Sequence, residues 1–289
     1  MEAQSQMSEQ IARDVGPDGI DVAYECLGAP EAPPVLLIMG LGAQMIGWDT
    51  GFCRQLAAHG LRVIRFDNRD VGRSTHAHRP YRLQDMAADA AGLLDTLRID
   101  SAHVVGASMG GQIAQLMALD FAARVRTLTS VMSSTGNLLV GLPRLRAIRA
   151  LAQKPPKTRE QMMDHAVEMF RVIGSPAYPH DEQDLRERAA LSFDRGFDVD
   201  GARRQVLAMI TSGDRTRRLK SVRAPTLVIH GAQDPMCAVS GGRATAKAIP
   251  GAQLAVIDGM GHNLPPGLWS KLADLICAHA WQTESRHAA

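Results

Sequence analysis

From about residue 10 to residue 134, short β-rich runs alternate with stretches whose apolar residues recur at helical spacing. Residues 11–15 and 20–27 flank Gly16-Pro17-Asp18-Gly19, a turn sequence, and so predict an antiparallel hairpin. Residues 35–39 are apolar without interruption, the pattern of a strand buried on both faces. Further strands are expected at 62–66, 102–105 and 125–131, with helices at about 49–59, 83–97 and 109–121. Such alternation implies an α/β fold, a mostly parallel central sheet with helices on both faces.

The pattern changes between about residues 135 and 214. No strand-like run occurs there, and several helical stretches are broken by Pro143, Pro155, Pro156, Gly174, Pro176 and Pro179. Alternation then resumes with a strand at 226–230, a helix near 241–249, a strand at 253–257 and a last helix over about 268–281. Neither flanking half has strands enough for a sheet of its own. Residues 1–134 and 215–289 are therefore expected to form one core, and 135–214 an inserted helical cap. Leu138, Leu139, Leu142, Phe170 and methionines such as Met162 and Met209 are expected mostly to pack this cap onto the core, and in part to roof a pocket.

Composition narrows the choice of partners. Thirty-two basic against 30 acidic side chains leave a net charge of +2, far from the concentrated positive charge of a nucleic-acid binder. No apolar run approaches the ~20 residues that span a bilayer. Neither nucleic acid nor a membrane is expected as a partner. The first ten residues carry no basic region followed by an apolar one, so no secretory leader is read and the cytoplasm is the expected location. Cys26, Cys53, Cys237 and Cys277 are scattered without a Cys-x-x-Cys pair and read as small apolar residues in a reducing compartment.

The strongest chemical signal is Gly106-Ala107-Ser108-Met109-Gly110, between an expected strand and an expected helix. Glycines two residues either side of a serine suit a strained turn that lifts the hydroxyl to the carboxyl edge of the sheet. A serine nucleophile needs a base, and His262 lies in the glycine-rich stretch Gly259-Met260-Gly261-His262 between the last strand and last helix. His103 and His230 fall in or at the end of strands, His59 and His279 near helix ends, and His287 in the tail, all more simply packed or solvated. Asp234, directly after the penultimate strand, gives the chain order Ser, Asp, His; Asp258, four residues before His262, is its nearest rival. The oxyanion amides are expected at Met109, next after the serine, and at Leu41 in Gly40-Leu41-Gly42.

Two other patterns give weaker signals. Gly40-x-Gly42-x-x-Met45 with Asp67 further on imitates a dinucleotide fingerprint, but Met45 is too large for a position that requires Gly or Ala. His76 and His78 lack a third ligand, so no metal and no cofactor is called for. Asp67 and Arg69 read as loop-tying residues, and Arg215, Arg217, Arg218 and Lys220 as a solvated basic face.

Taken together, Met39-Gly40-Leu41-Gly42, the block from Phe66 to Ser74 (FDNRDVGRS), Gly106 to Gly111 (GASMGG), Gly231 to Pro235 (GAQDP) and Gly259 to His262 resemble the α/β-hydrolase fold family over nearly the whole chain. Within it the combination is similar to cap-bearing bacterial carboxylesterases, including methylesterases that act on aromatic polyketides. Met39 stands where the wider family has histidine, which leaves the oxyanion amides in place and removes any hydrogen bond that histidine would give. The resemblance implies a triad of Ser108, Asp234 and His262. The expected activity is hydrolysis of a small-molecule ester with an apolar acyl group and a small alcohol. Thioesterase, lactonase, carbon–carbon bond hydrolase and cofactor-free perhydrolase chemistries use the same triad and stay open, as does a ligand-binding receptor of this fold. A serine at the nucleophile position argues against epoxide hydrolases and haloalkane dehalogenases, which need a carboxylate there.

Overall fold

The computed structural model describes residues 8–287. The expected hairpin is present: β1 (Gln10–Val15) and β2 (Ile20–Leu27) pair antiparallel, and Gly19 N–H closes the turn onto the Gly16 carbonyl at 3.2 Å. Six further strands follow: β3 (Pro34–Ile38), β4 (Arg62–Phe66), β5 (Ala102–Ala107), β6 (Val125–Val131), β7 (Thr226–Gly231) and β8 (Gln253–Ile257). All eight form one sheet in the order β1-β2-β4-β3-β5-β6-β7-β8. β2 lies antiparallel to β4, and every pairing from β4 to β8 is parallel.

The uninterrupted apolar run of β3 is explained by two cores. Leu36 and Ile38 face one side with α2 (Leu83–Thr96) and α3 (Met109–Asp120), whereas Val35 and Leu37 face the other with α1 (Thr50–Ala58) and α9 (Trp269–His287). Alternate residues thus feed opposite cores, each buried aliphatic side chain contributing about 1.5–3 kcal/mol. α9 runs to His287 instead of stopping near 281. No Gly or Pro interrupts it, Thr283 is buried, and Glu284 meets Arg126 at 3.1 Å and His103 at 3.2 Å, so tertiary contacts continue a helix whose apolar periodicity has lapsed.

Between β6 and β7 the chain forms four α-helices and no strand: α4 (Leu145–Leu151), α5 (Arg159–Ile173), α6 (Glu182–Asp194) and α7 (Val199–Ser212). This is an inserted helical cap. The last three of these helices start at side-chain N-caps, Thr158, Asp181 and Asp198, each accepting a backbone N–H from the first turn. α8 (Ser240–Ala248) is the crossover from β7 to β8. Ion pairs tie the cap to the loops above the sheet: Arg188 to Asp49 at 2.5 Å, Arg195 to Asp67 at 2.6 Å and Arg204 to Asp70 at 2.7 Å.

Two expectations need correction. Leu138, Leu139 and Leu142 do not pack the cap onto the core; all three are exposed to solvent. Arg215 is not part of a solvated face. It turns inward beneath the loop after β6, where its guanidinium donates to the Gly213 carbonyl at 3.0 Å. All four cysteines are free thiols, and burial pushes Cys53 and Cys277 up to about 12. No described helix is long and apolar enough to cross a membrane.

Candidate active site

At the junction of β5 and α3, Ser108 adopts φ 55° and ψ −120°, a conformation that costs a non-glycine residue about 1–3 kcal/mol. Neighbouring groups enforce it. Its N–H donates to the Val131 carbonyl at 2.9 Å, and Ser133 Oγ donates to its carbonyl at 2.7 Å. The flanking glycines are required by close approach: a Cβ on Gly106 would strike the Gly110 carbonyl, and one on Gly110 would strike the Ile38 carbonyl. The serine therefore stands at the carboxyl ends of β3 and β5, above the N-terminus of α3, where unpaired N–H groups concentrate.

His262 and Asp234 reach the same edge from the loops after β8 and β7. His262 Nε2 lies 3.0 Å from Ser108 Oγ, and its Nδ1 lies 2.7 Å from Asp234 Oδ2. The carboxylate side chain is fully buried, and its other oxygen accepts the N–H groups of Met236 and Cys237, both at 2.8 Å. With Nδ1–H donated to the carboxylate, the lone pair of Nε2 faces the serine hydroxyl. The rival Asp258 is exposed and makes no polar contact with His262 among the described residues.

The groups that hold this pair carry no motif in the sequence. His230, read as a packed strand residue, is buried; its Nε2–H donates to the Cys237 carbonyl at 2.7 Å, clamping the turn that supplies two N–H groups to Asp234. Burial holds the His230 ring below the ordinary histidine range. The cap holds His262 from the other side. Its backbone N–H donates to the Ile173 carbonyl at 2.7 Å, and Gly261 N–H donates to Ser175 Oγ at 2.9 Å. A Cβ on Gly261 would collide with the Gly174 carbonyl, which explains glycine at that position.

The loop after β3 passes directly over the serine, since a Cβ on Gly40 would stand 3.1 Å from Ser108 Cβ. Three side chains fix it. Asn68 Nδ2 donates to the Met39 carbonyl at 3.0 Å, Asp67 Oδ1 accepts Met45 N–H at 2.7 Å, and Gln205 Oε1, from α7 of the cap, accepts Gly42 N–H at 2.8 Å. Gln205 is buried, and its amide nitrogen donates to the Arg69 carbonyl at 2.8 Å. Among the described residues no protein acceptor takes the N–H of Leu41 or of Met109, so both are free to donate to a bound oxygen.

The competing patterns are used structurally. Asp67, the acid of the imitation fingerprint, is buried against Met45 and Arg195 and presents no carboxylate to a ribose. Arg69 binds Asp89 through both of its nearest nitrogens at 2.6 Å. His76 pairs with Asp198 at 2.9 Å, and the Asp70, His76 and Asp198 ligand atoms lie within 4.8 Å of one another. Arg204 donates to both carboxylates there, at 2.7 and 3.1 Å, and supplies the positive charge that a metal would bring. A cavity of about 520 Å³ adjoins the histidine loop, bordered by Phe170, Tyr178, His180, Gln233 and Asn263, and Ser108 is not in its lining.

Residues 33–265 match the family model of the alpha/beta hydrolase fold. A rhodomycin D methylesterase of Streptomyces peucetius is 33% identical over 284 residues, covering 91% of this chain and 95% of the relative. A poly(3-hydroxyalkanoate) depolymerase of Ectopseudomonas oleovorans is 30% identical over 232 residues, 80% of this chain and 78% of its own. The crystal structure of an enol-lactonase from Burkholderia xenovorans superposes with a TM-score of 0.72 at 25% identity, covering 96% of this chain and all of that one. The chain belongs to the α/β-hydrolase fold family, as a hydrolytic enzyme related to bacterial esterases and lactonases.

Proposed function

We propose that the protein is a serine carboxylesterase in which Ser108, His262 and Asp234 act as nucleophile, base and orienting acid. The observation that carries this reading is the continuous row from the buried Asp234 carboxylate to His262 at 2.7 Å and on to Ser108 Oγ at 3.0 Å. Ser108 Oγ attacks the acyl carbonyl while its proton passes to His262 Nε2. The oxyanion is held by the N–H groups of Leu41 and Met109, and its collapse returns the proton to the departing alcohol. Water, deprotonated by the same imidazole, then splits the acyl-serine ester and frees the acid. Residues 135–214 form the cap of this reading and 1–134 with 215–289 its catalytic core.

The proposed substrate is an ester with an apolar acyl group and a small alcohol such as methanol. Similarity to a methylesterase over nearly the full length of both chains supports it. The test is a panel of p-nitrophenyl esters of graded chain length beside methyl esters, thioesters and lactones. Neutral methyl esters of bulky apolar acids should show the highest kcat/KM; a panel led by thioesters, lactones or charged substrates would overturn the substrate while leaving the triad in place.

The cap enters the chemistry through Gln205. Gln205→Leu leaves Gly42 N–H and the Arg69 carbonyl without their partner and frees the loop that carries the Leu41 amide. The expected loss in kcat is about 10–100-fold, less than the ~10²–10³-fold cost of deleting an oxyanion donor outright. KM should move by no more than about twofold, because the lost restraint serves the transition state. A variant with raised KM and unchanged kcat would place Gln205 in substrate binding instead.

A further inference from the structure

Six large aliphatic residues between Leu138 and Leu151 are exposed to solvent. Leu138 and Leu139, 83% and 84% exposed, stand at the tip of the loop after β6; Leu142 follows, then Leu145, Ile148 and Leu151 at intervals of three along α4, all exposed. Exposed aliphatic groups so concentrated call for an occupant. Interleaved with them are Arg144, Arg146 and Arg149, followed by Lys154 and Lys157, all exposed, and no Asp or Glu occurs between residues 138 and 158. None of the three arginines has an ion pair among the described residues.

We propose that this segment docks the protein on an anionic lipid surface, with the leucines in the acyl layer and the arginines at the headgroup phosphates. Charge decides against a second copy of the chain. A two-fold contact would set five cations against the same five cations, with no carboxylate in the patch to offset them. The patch also lacks the aromatic residues and methionine in which protein interfaces are enriched: none occurs between residues 138 and 158. Here arginines sit between the aliphatic residues, the composition of a basic amphipathic segment lying in a bilayer interface.

Several backbone donors of the loop are already engaged, which lowers the cost of entering a less polar medium. Leu139 N–H donates to Asn137 Oδ1 at 2.8 Å, Gly141 N–H to Ser240 Oγ at 3.0 Å, and Arg144 N–H to the Pro235 carbonyl at 2.7 Å. The last two bonds seat the segment on the loop that bears Asp234 and on the start of α8, so a docked molecule would hold the candidate site beside the lipid. The expectation of no membrane partner rested on the lack of a spanning run and does not reach this peripheral mode. Docking does not depend on the proposed ester chemistry.

The test is co-sedimentation of the full chain with phosphatidylcholine vesicles, with and without one third phosphatidylglycerol, alongside turnover of a water-soluble ester. Wild type should bind the anionic vesicles, more weakly as salt rises. Arg144→Gln/Arg146→Gln/Arg149→Gln should weaken binding by about a hundredfold, each charge near the surface being worth about a factor of five. Leu138→Ser/Leu139→Ser should abolish binding at equal anionic lipid content, with soluble turnover within about twofold of wild type in both variants. Failure to bind anionic vesicles, equal binding to neutral ones, or a dimer at sedimentation equilibrium that the serine variant dissociates would each overturn the proposal. Capture by an acidic peptide without vesicle binding would overturn it in favour of a protein partner.

Discussion

Ser108→Ala is expected to lower kcat for ester hydrolysis by about 10⁶-fold while the folded molecule persists. The elbow does not depend on the hydroxyl. Its φ of 55° is imposed by the Val131 and Ser133 hydrogen bonds to the Ser108 backbone and by the glycines at 106 and 110, none of which the substitution touches. A fluorophosphonate should label wild type at Ser108 alone, because the neighbouring Ser133 spends its hydroxyl on the Ser108 carbonyl and, among the described residues, has no base within hydrogen-bond distance. Labelling that survives in the alanine variant, at undiminished rate, would move the nucleophile elsewhere.

Much of this site was legible because its parts are local. Gly106 and Gly110 report a turn whose strain is set by residues two positions away, and the order of Ser108, Asp234 and His262 along alternating strands and helices puts all three at one sheet edge. The strands were legible for a similar reason: a run such as β3, apolar at every position, is buried on both faces. Where local pattern and tertiary contact diverge, the sequence is a poorer guide. The last turns of α9 carry no apolar stripe; there Glu284 pairs with Arg126 and His103 on the sheet and Thr283 is buried.

The supports that the cap supplies were less accessible still, since they join segments more than 80 residues apart. Gln205 reaches Gly42 across 163 residues, Ser175 reaches Gly261 across 86, and Arg195 reaches Asp67 across 128. Nothing in a lone glutamine or serine of a helical stretch announces such a role. The Asp67 and Arg69 block reads as loop-tying, and it does tie loops, but the partner that completes Asp67 comes from the cap. The cap thus reaches both moving parts of the proposed chemistry, the oxyanion loop through Gln205 and the histidine loop through Ile173 and Ser175.

Asp234→Asn is expected to lower kcat by about 10⁴-fold with little loss of thermal stability, and the surrounding bonds dictate the reason. Oδ1 of Asp234 accepts two backbone N–H groups, from Met236 and Cys237, both at 2.8 Å. An asparagine must keep its carbonyl oxygen there, because its NH₂ group would face two donors. The NH₂ group is then turned toward His262 Nδ1, at the position where the carboxylate oxygen now stands at 2.7 Å. To accept from it, the imidazole must carry its proton on Nε2, the nitrogen 3.0 Å from Ser108 Oγ, and a protonated Nε2 cannot take the serine proton. The substitution changes a tautomer and leaves the shape alone, so affinity for neutral ester should stay close to wild type. Melting temperature, KM and kcat measured together distinguish this from collapse of the loop. A variant that keeps activity within about tenfold of wild type, or that loses activity only by unfolding, would remove Asp234 from the proposed relay and return the search for an acid to the remaining carboxylates of the sheet edge.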